Sequence, residues 1–378
     1  MTCSPPQWPL SSAFHPQEGD AIPRSTHQTY NTGMAIKSLL GDLDMRESAR
    51  PPSRGKQASE QDGGSFSGQS ATDEFSDLRV PDSWPDEKEK TVLGPYNYVA
   101  SMPGKEFRTL LLKAFNTWLD VPPASLEVIT GVVRMLHTAS LLIDDIQDNS
   151  PLRRGRPAAH SIFGVAQTIN SANYAYFLAL AELRKLRNPD AAVEVYTSEM
   201  MHLHRGQGMD LFWRDTLTCP TEAEYLQMAS DKTGGLFRLA VRLMQTESER
   251  SYDCVPLAGL LGPIFQMADD YKNLVSADYA HMKGTCEDLS EGKFSFPVVH
   301  SVRADLTDRR LLNILARRPT DDETKKYAVE YIESTGSLSY TKRAVARLME
   351  EAKRVADEID GASGKSQVFH ALLDKLSL

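Results

Sequence analysis

Cysteine is scarce: the 378-residue chain has four, Cys3, Cys219, Cys254 and Cys286. None stands at the spacing of a zinc site and no two are close in sequence. The thiols therefore read as reduced, and a disulfide scaffold is not expected. Excess positive charge is also missing. With 42 Lys and Arg against 51 Asp and Glu, the net charge is -9, the opposite of the basic surface that nucleic acid selects. The apolar runs, such as Tyr174–Ala181, fall short of the roughly 20 residues that a membrane span needs. The N-terminus lacks a basic segment followed by an apolar one. Glu18, Asp20, Asp42 and Asp44 are out of place in an organelle-targeting peptide. A soluble, cytoplasmic protein without a membrane span is the expectation.

Strand signals are equally sparse. No stretch alternates apolar and polar residues long enough to demand a sheet, and no glycine-rich strand–turn–helix unit occurs. Helical spacing dominates from Leu93 onward. In Lys105–Leu119 the apolar residues Phe107, Leu110, Leu111, Ala114, Phe115 and Trp118 fall on one face. Further helices are expected over Leu126–Ile146, Ala158–Arg187, Ala191–Trp213, Thr221–Gln245, Val255–Val275 and Asp322–Ile359. Before residue 90 the chain turns to Pro, Ser, Gly and Gln, as in Ala58–Ser70. That composition buries too little apolar surface to offset the entropy of ordering. Residues 1–90 are therefore read as a disordered tail and 91–378 as one all-α domain.

Two acidic clusters stand out: Asp144-Asp145-Ile146-Gln147-Asp148, and Asp269-Asp270-Tyr271-Lys272-Asn273. Positions i, i+1 and i+4 of a helix lie within about 100° of its circumference, so each cluster presents three oxygen-bearing side chains on one side. Each follows an apolar stretch, Leu141-Leu142-Ile143 and Ile264-Phe265, which puts the acids at the rim of an apolar interior. Crowded carboxylates raise one another's pKa unless cations intervene. Mg²⁺, held by one or two carboxylates together with water and phosphate oxygens, is the natural partner. Either cluster alone would read equally well as a solvated acidic face. A calcium loop begun at Asp144 fails, because Asn149 and Gly155 stand where Gly and Glu are required.

Together with flanking cations, the two clusters resemble the aspartate-rich motifs of eukaryotic, fungal-type geranylgeranyl diphosphate synthases in the trans-isoprenyl diphosphate synthase family. The resemblance runs from about Tyr96 to the C-terminus. It implies an isoprenoid synthase helical bundle around a central cavity, with Asp144, Asp145, Asp148, Asp269 and Asp270 holding three Mg²⁺ ions per site. Arg153 and Arg154 match the arginines that follow the first motif, one for each substrate diphosphate. Pro103-Gly104-Lys105-Glu106-Phe107-Arg108 matches the isopentenyl diphosphate grip, with Lys105 and Arg108 as ligands and His137 as a third contact. Lys232 and Thr233 match the family's Lys-Thr pair, and Gln266 a glutamine beside the reacting carbons. Lys283 and Lys293 match lysines near the allylic diphosphate, Asn273 belongs to the second motif, and Gln207 and Asp210 match a pair lining the cavity.

The implied reaction joins isopentenyl diphosphate head-to-tail to C5, C10 and C15 allylic diphosphates by ionisation, condensation and elimination. Ala139 and Ser140, five and four residues before Asp144, are small where enzymes stopping at C15 place aromatic residues. The family's deeper barrier matches Tyr176, Phe177 and His204, so a C20 product is expected. The family also implies a homodimer or higher homo-oligomer. A class I terpene cyclase is the first rival, but it needs a different second metal motif and has no use for Lys105 and Arg108. A non-catalytic regulatory subunit is the second, and it would be expected to have lost part of one cluster.

Overall fold

Apolar residues recur three and four apart through most of the chain, and the computed structural model turns them into helices. It describes residues 84–103, 107–275, 286–361 and 363–378. The order begins with α1 (Asp86–Val92), α2 (Gly94–Ala100), α3 (Phe107–Leu119) and α4 (Pro123–Gln147). A hairpin of β1 (Leu152–Arg153) and β2 (Arg156–Pro157) follows, then α5 (Ala159–Phe163), α6 (Val165–Glu182), α7 (Pro189–Thr216), α8 (Glu222–Lys232) and α9 (Gly234–Glu247). The chain continues through α10 (Val255–Val275), α11 (Glu287–Glu291), α12 (Phe296–Ala304), α13 (Arg310–Arg317), α14 (Asp322–Ser334), α15 (Ser337–Asp360) and α16 (Ser366–Asp374). The all-α expectation holds: among the described residues the antiparallel hairpin is the one sheet, and its strands are two residues long.

α4 lies against α6 and α9, α7 against α8 and α9, and α10 against α9 and α15. One large core joins these helices. Its C-terminal closure is specific: Trp118 of α3 stacks on Phe369 of α16 at 4.5 Å between ring centres, and its indole N–H donates to Asp360 at 2.9 Å. Truncating such a buried aromatic to Ala costs about 3–5 kcal/mol. Glu199 of α7 is buried and accepts from Arg238 at 3.0 Å and Arg242 at 2.8 Å, tying α7 to α9 by a paired charge.

Three helices expected as continuous are broken. Ala158–Arg187 splits at Gly164, whose φ is 80°, and Asp322–Ile359 splits at Gly336, whose φ is 74°. Thr221–Gln245 splits between Lys232 and Gly234 because neighbouring helices press on the break. A Cβ added to Gly206 of α7 would lie 2.3 Å from the Lys232 nitrogen, and one on Gly262 of α10 only 2.5 Å from the Gly234 Cα. Glycine permits that approach. The domain boundary expected at residue 90 falls inside α1, which starts at Asp86; the residues before 84 lie outside the described residues. α4 is long and apolar enough, by length and composition, to cross a membrane, contrary to the sequence expectation. It is instead the central packed helix of the bundle, and its last turn carries the buried Asp145.

Candidate active site

The last turn of α4 separates its acids by burial. Asp144 and Asp148, four residues apart, share a face and line a cavity of about 110 Å³. Asp145, turned about 100° from Asp144, is fully buried and accepts from Arg153 Nε at 2.8 Å and also from its Nη2. The hairpin aims that arginine. Its two-residue turn, Arg154-Gly155, has φ values of 54° and 75°, the positive pair that a tight hairpin loop uses. This turn brings Arg153 Nη2 to 3.6 Å from Asp144 Oδ2.

The second cluster sits on α10 and is sorted more sharply. Asp269 lines the cavity. Asp270 is fully buried and accepts from Tyr225 Oη at 2.5 Å, Phe296 N–H at 2.8 Å, Gln266 Nε2 at 2.9 Å and Lys293 Nζ at 3.1 Å. Asn273 is also buried; its Oδ1 accepts from the Asp288 N–H at 3.2 Å, at the start of α11. Asn273 therefore supports the start of α11 and is not among the residues that line the cavity.

Cations reach the cavity from three directions. Lys232, at the end of α8, donates to Asp210 of α7 at 2.6 Å. Arg214, one turn after Asp210, donates to Asp148 at 2.8 Å. Lys293 lies between Asp270 and Asp288, the latter at 3.5 Å. Among the described residues seven acidic side chains line the cavity against four basic ones, the acids being Asp144, Asp148, Asp210, Asp269, Glu287, Asp288 and Glu291. Burial, then Asp144, pushes the Asp148 carboxyl up to about 6 against the pull of Lys232, Lys293 and Arg214. Burial and the neighbouring Asp148 and Asp288 raise Glu291 well above the carboxylate range. Burial alone would lower the Lys232 ammonium, but Asp210 and Asp144 outweigh it and hold its pKa above the ordinary value.

Hard oxygen donors in surplus suit a divalent cation. Among the described residues no three His, Cys, Asp or Glu side chains converge as they stand on one point. An ion here would take its remaining ligands from substrate phosphates and water, which is how Mg²⁺ is usually held.

A second cationic group lies toward α3. Arg108 Nη1 is 3.0 Å from His137 Nε2, and Arg154 Nη1 donates to the Met102 carbonyl at 2.8 Å. Because arginine only donates, His137 Nε2 accepts and the ring proton sits on Nδ1. Burial, then Arg108, Arg154 and Arg153, depresses His137 to about 2, so the ring is neutral. Burial and Arg154 also lower Arg108 to about 10, opposed by Asp269. Crowded cations of this kind are relieved by an anion. Lys105 and Lys283 lie outside the described residues.

The chain-length residues do not all face inward. Ala139 is buried with Leu142, Ala159, Ala172 and Ala175 in a small-residue cluster, with Tyr176 packed against it. Ser140 is half-buried, its hydroxyl donating to the His137 carbonyl at 2.9 Å. Phe177 is 69% exposed, so within one protomer it cannot close the cavity. Its neighbour Tyr176 takes the inward position because adjacent helical residues point about 100° apart. His204 is exposed and meets the Tyr176 ring at 6.0 Å. Gln207 donates to Gln147 at 2.7 Å rather than lining the cavity.

Sequence reasoning missed Tyr225, Arg214, Glu287, Asp288 and Glu291. The last three had a readable signal, since Glu287-Asp288-Leu289-Ser290-Glu291 repeats the i, i+1, i+4 spacing of both aspartate clusters. Tyr225 had none, because its partner Asp270 is 45 residues away.

A family model described as polyprenyl synthetase matches residues 89–332. A geranylgeranyl pyrophosphate synthase of Hypoxylon pulicicidum is 60% identical over 294 residues, covering 78% of this chain and 76% of the relative. Geranylgeranyl pyrophosphate synthase D of Phomopsis amygdali is 62% identical over 299 residues, 78% of this chain and 70% of the relative. A geranylgeranyl pyrophosphate synthase of Fusarium fujikuroi is 58% identical over 298 residues, 78% and 71% respectively. The chain belongs to the polyprenyl synthetase family.

Proposed function

With that family as the premise, we propose that the chain is a geranylgeranyl diphosphate synthase, a prenyltransferase that extends allylic diphosphates with isopentenyl diphosphate to C20. The observation that carries this reading is the pairing of two acidic helix faces across one cavity with two separate cationic groups, one for each diphosphate. Divalent cations held by Asp144, Asp148 and Asp269, with Mg²⁺ as the expected ion, would supply the charge that a departing diphosphate needs. Asp145 and Asp270 are buried behind those residues and support the wall instead.

Arg153, Lys232 and Lys293 place fixed positive charge at the same end of the cavity, where the C–O bond of the allylic substrate breaks. Lys232 reaches there because α8 ends at that residue, and Asp210 orients it. Arg108, His137 and Arg154 hold the second diphosphate, with the neutral imidazole donating through Nδ1. The double bond of isopentenyl diphosphate then attacks the allylic cation, and the proton lost afterwards goes to the departing diphosphate. Water would be kept out with the help of the apolar packing around the end of α4, where Leu142, Ala172 and Ala175 are buried. Tyr176, packed on that cluster, is the proposed stop for the growing chain.

A homodimer is proposed on the outward faces of α6 and α7. Val165, Ile169 and Phe177 on one helix, and Met201, Met209 and Phe212 on the other, are all exposed. Light scattering on the purified protein tests that assembly, and a monomer at micromolar concentration would refute it. A cytoplasmic location is proposed on the sequence features above.

The test of function is product analysis. Purified protein with Mg²⁺, isopentenyl diphosphate and each of the C5, C10 and C15 primers should yield mainly a C20 alcohol after dephosphorylation. A C15 or longer product would refute the stop at Tyr176. A cyclised hydrocarbon would favour a terpene cyclase, and no product from folded protein a partner subunit.

A further inference from the structure

The first acidic cluster ends where a helix gives a carboxylate least support. Asp148 is the C-cap of α4, beside carbonyl groups whose partial negative charge repels an acid. The cation that offsets this comes from another helix. Arg214 lies in the last turn of α7, where the same dipole favours positive charge. Its Nη1 donates to Asp148 Oδ1 at 2.8 Å and its Nε to Asp215 at 3.0 Å. Asp215 is met in turn by Arg318, just past the end of α13, at 3.2 Å. Only 10% of the Arg214 side chain and 15% of that of Asp148 are exposed, so water screens this pair less than a surface one. A guanidinium held at two nitrogens has its plane fixed, and the carboxylate it meets takes a fixed direction. With Oδ1 taken, Oδ2 is the oxygen that Asp148 offers to the cavity it lines.

We propose that Arg214, braced by Asp215, is a positioning residue that fixes the direction of Asp148 and thereby sets how much Mg²⁺ the cavity needs. The proposal rests on the prenyl-transfer reading above, in which Asp148 holds a divalent cation. Arg214 makes no bond to the ion, and Asp215 is not among the residues that line the cavity. The effect of both passes through Asp148. Two consequences of the guanidinium oppose one another. Its charge repels a cation, while its fork spares Asp148 the cost of being reoriented when the ion arrives. Orienting a metal-binding side chain is typically worth about ten- to a hundredfold in metal affinity. The repulsion is the smaller effect, because Asp148 and Asp215 already offset the charge at 2.8 and 3.0 Å.

Melting curves at a fixed concentration of inorganic pyrophosphate, taken over a series of Mg²⁺ concentrations, test this without any turnover. The readout is the Mg²⁺ concentration that gives half of the full stabilisation. Complexation of Mg²⁺ by free pyrophosphate is the same for every variant and cancels. Arg214→Lys keeps the charge but puts a point charge in place of the fork, and it should raise the midpoint about tenfold. Arg214→Gln should raise it as well, although a repelling charge is gone. Asp215→Asn removes the brace alone and should raise it about two- to fivefold, the scale of an exposed ion pair. Asp148→Asn combined with Arg214→Lys should be no worse than Asp148→Asn alone.

An unmoved midpoint in Arg214→Lys, or a lowered one in Arg214→Gln, would make the arginine a competitor for the metal position and overturn the proposal. A lower melting temperature in chelator with an unmoved Mg²⁺ midpoint would mark a purely structural pair and overturn it too. So would an additive loss in the double variant. If the Arg214 variants do not fold, Asp215→Asn decides, since its side chain is 57% exposed. An unsubstituted protein that pyrophosphate fails to stabilise at any Mg²⁺ concentration would instead sink the divalent-cation reading of the cavity, so the two failures are distinguishable.

Discussion

The two aspartate clusters share one spacing and have different surroundings. On α4 the cluster closes the helix: Asp148 is its C-cap, paired with Arg214, and Asp144 keeps 30% of its side chain exposed. On α10 the cluster lies inside the helix, and Asp269 alone of its three side chains lines the cavity. In both, the acid at i+1 is fully buried. One of these buried acids, Asp145, is held by the arginine of a hairpin, and the other, Asp270, by four donors. Helical spacing decides which side chains share a face, whereas burial and partners decide which of them can meet a metal or an anion. Identical letters therefore meet different surroundings: Asp144, Asp148 and Asp269 line the cavity, while Asp145 and Asp270 are fully buried among protein partners.

The sharpest way to break this comparison is to remove a cavity-facing acid from each cluster. Asp144→Ala and Asp269→Ala should each lower turnover by about three orders of magnitude, equivalent to several kcal/mol of lost charge stabilisation. Each should leave thermal stability unchanged or slightly raised, because one of seven crowded acids is gone. Near-normal turnover in a steady-state assay would refute the role assigned to that face. Asp270→Ala should behave differently. It strips the acceptor from Tyr225, Phe296 and Lys293, and leaving buried donors and a charge without a partner costs about 3–5 kcal/mol. A urea unfolding curve should register this loss, and a cost below that of Asp269→Ala would remove the distinction between the two aspartates.

Smaller effects test whether burial also governs the cationic group. His137 is depressed from the ordinary histidine value of 6.5 to about 2. Between those values the unfolded chain binds a proton that the folded one refuses, so this residue makes stability fall as pH drops below about 6.5. His137→Gln should flatten that part of the melting temperature profile between pH 7.5 and 5. An unchanged slope would mean the imidazole is not held neutral. The smallest effect is expected at Phe177. Being 69% exposed, its change to Ala should alter the stability of the protomer by less than about 1 kcal/mol and leave product length unchanged. Tyr176→Ala should lengthen the product, and equal lengthening by both variants would show that exposure does not separate them.

The fold was legible where one periodicity ruled. The faces of α3, α4 and α10 follow from apolar residues three and four apart, and the clusters follow from i, i+1, i+4. Burial within a cluster was not legible, because Asp270 is enclosed by Tyr225 and Phe296, 45 and 26 residues away. The break between α8 and α9 was hidden for a similar reason. Apolar spacing runs straight through Lys232 and Thr233, and the cause is backbone contact from Gly206 and Gly262 on other helices. The hairpin was too short to alternate, although Gly155 stood in its turn. Phe177 and Tyr176 could be ordered neither by type nor by position, since both suit a core.

Both acidic faces are expected to act on one diphosphate through divalent cations. Calorimetric titration with inorganic pyrophosphate, in Mg²⁺ and then in chelator, tests this most directly. The seven acids that line the cavity among the described residues should repel the anion until cations are supplied. The expected result is binding in Mg²⁺ that disappears in chelator and is weakened by Asp144→Ala and by Asp269→Ala alike. Equal affinity with and without Mg²⁺, or weakening by only one of the two substitutions, would contradict the account.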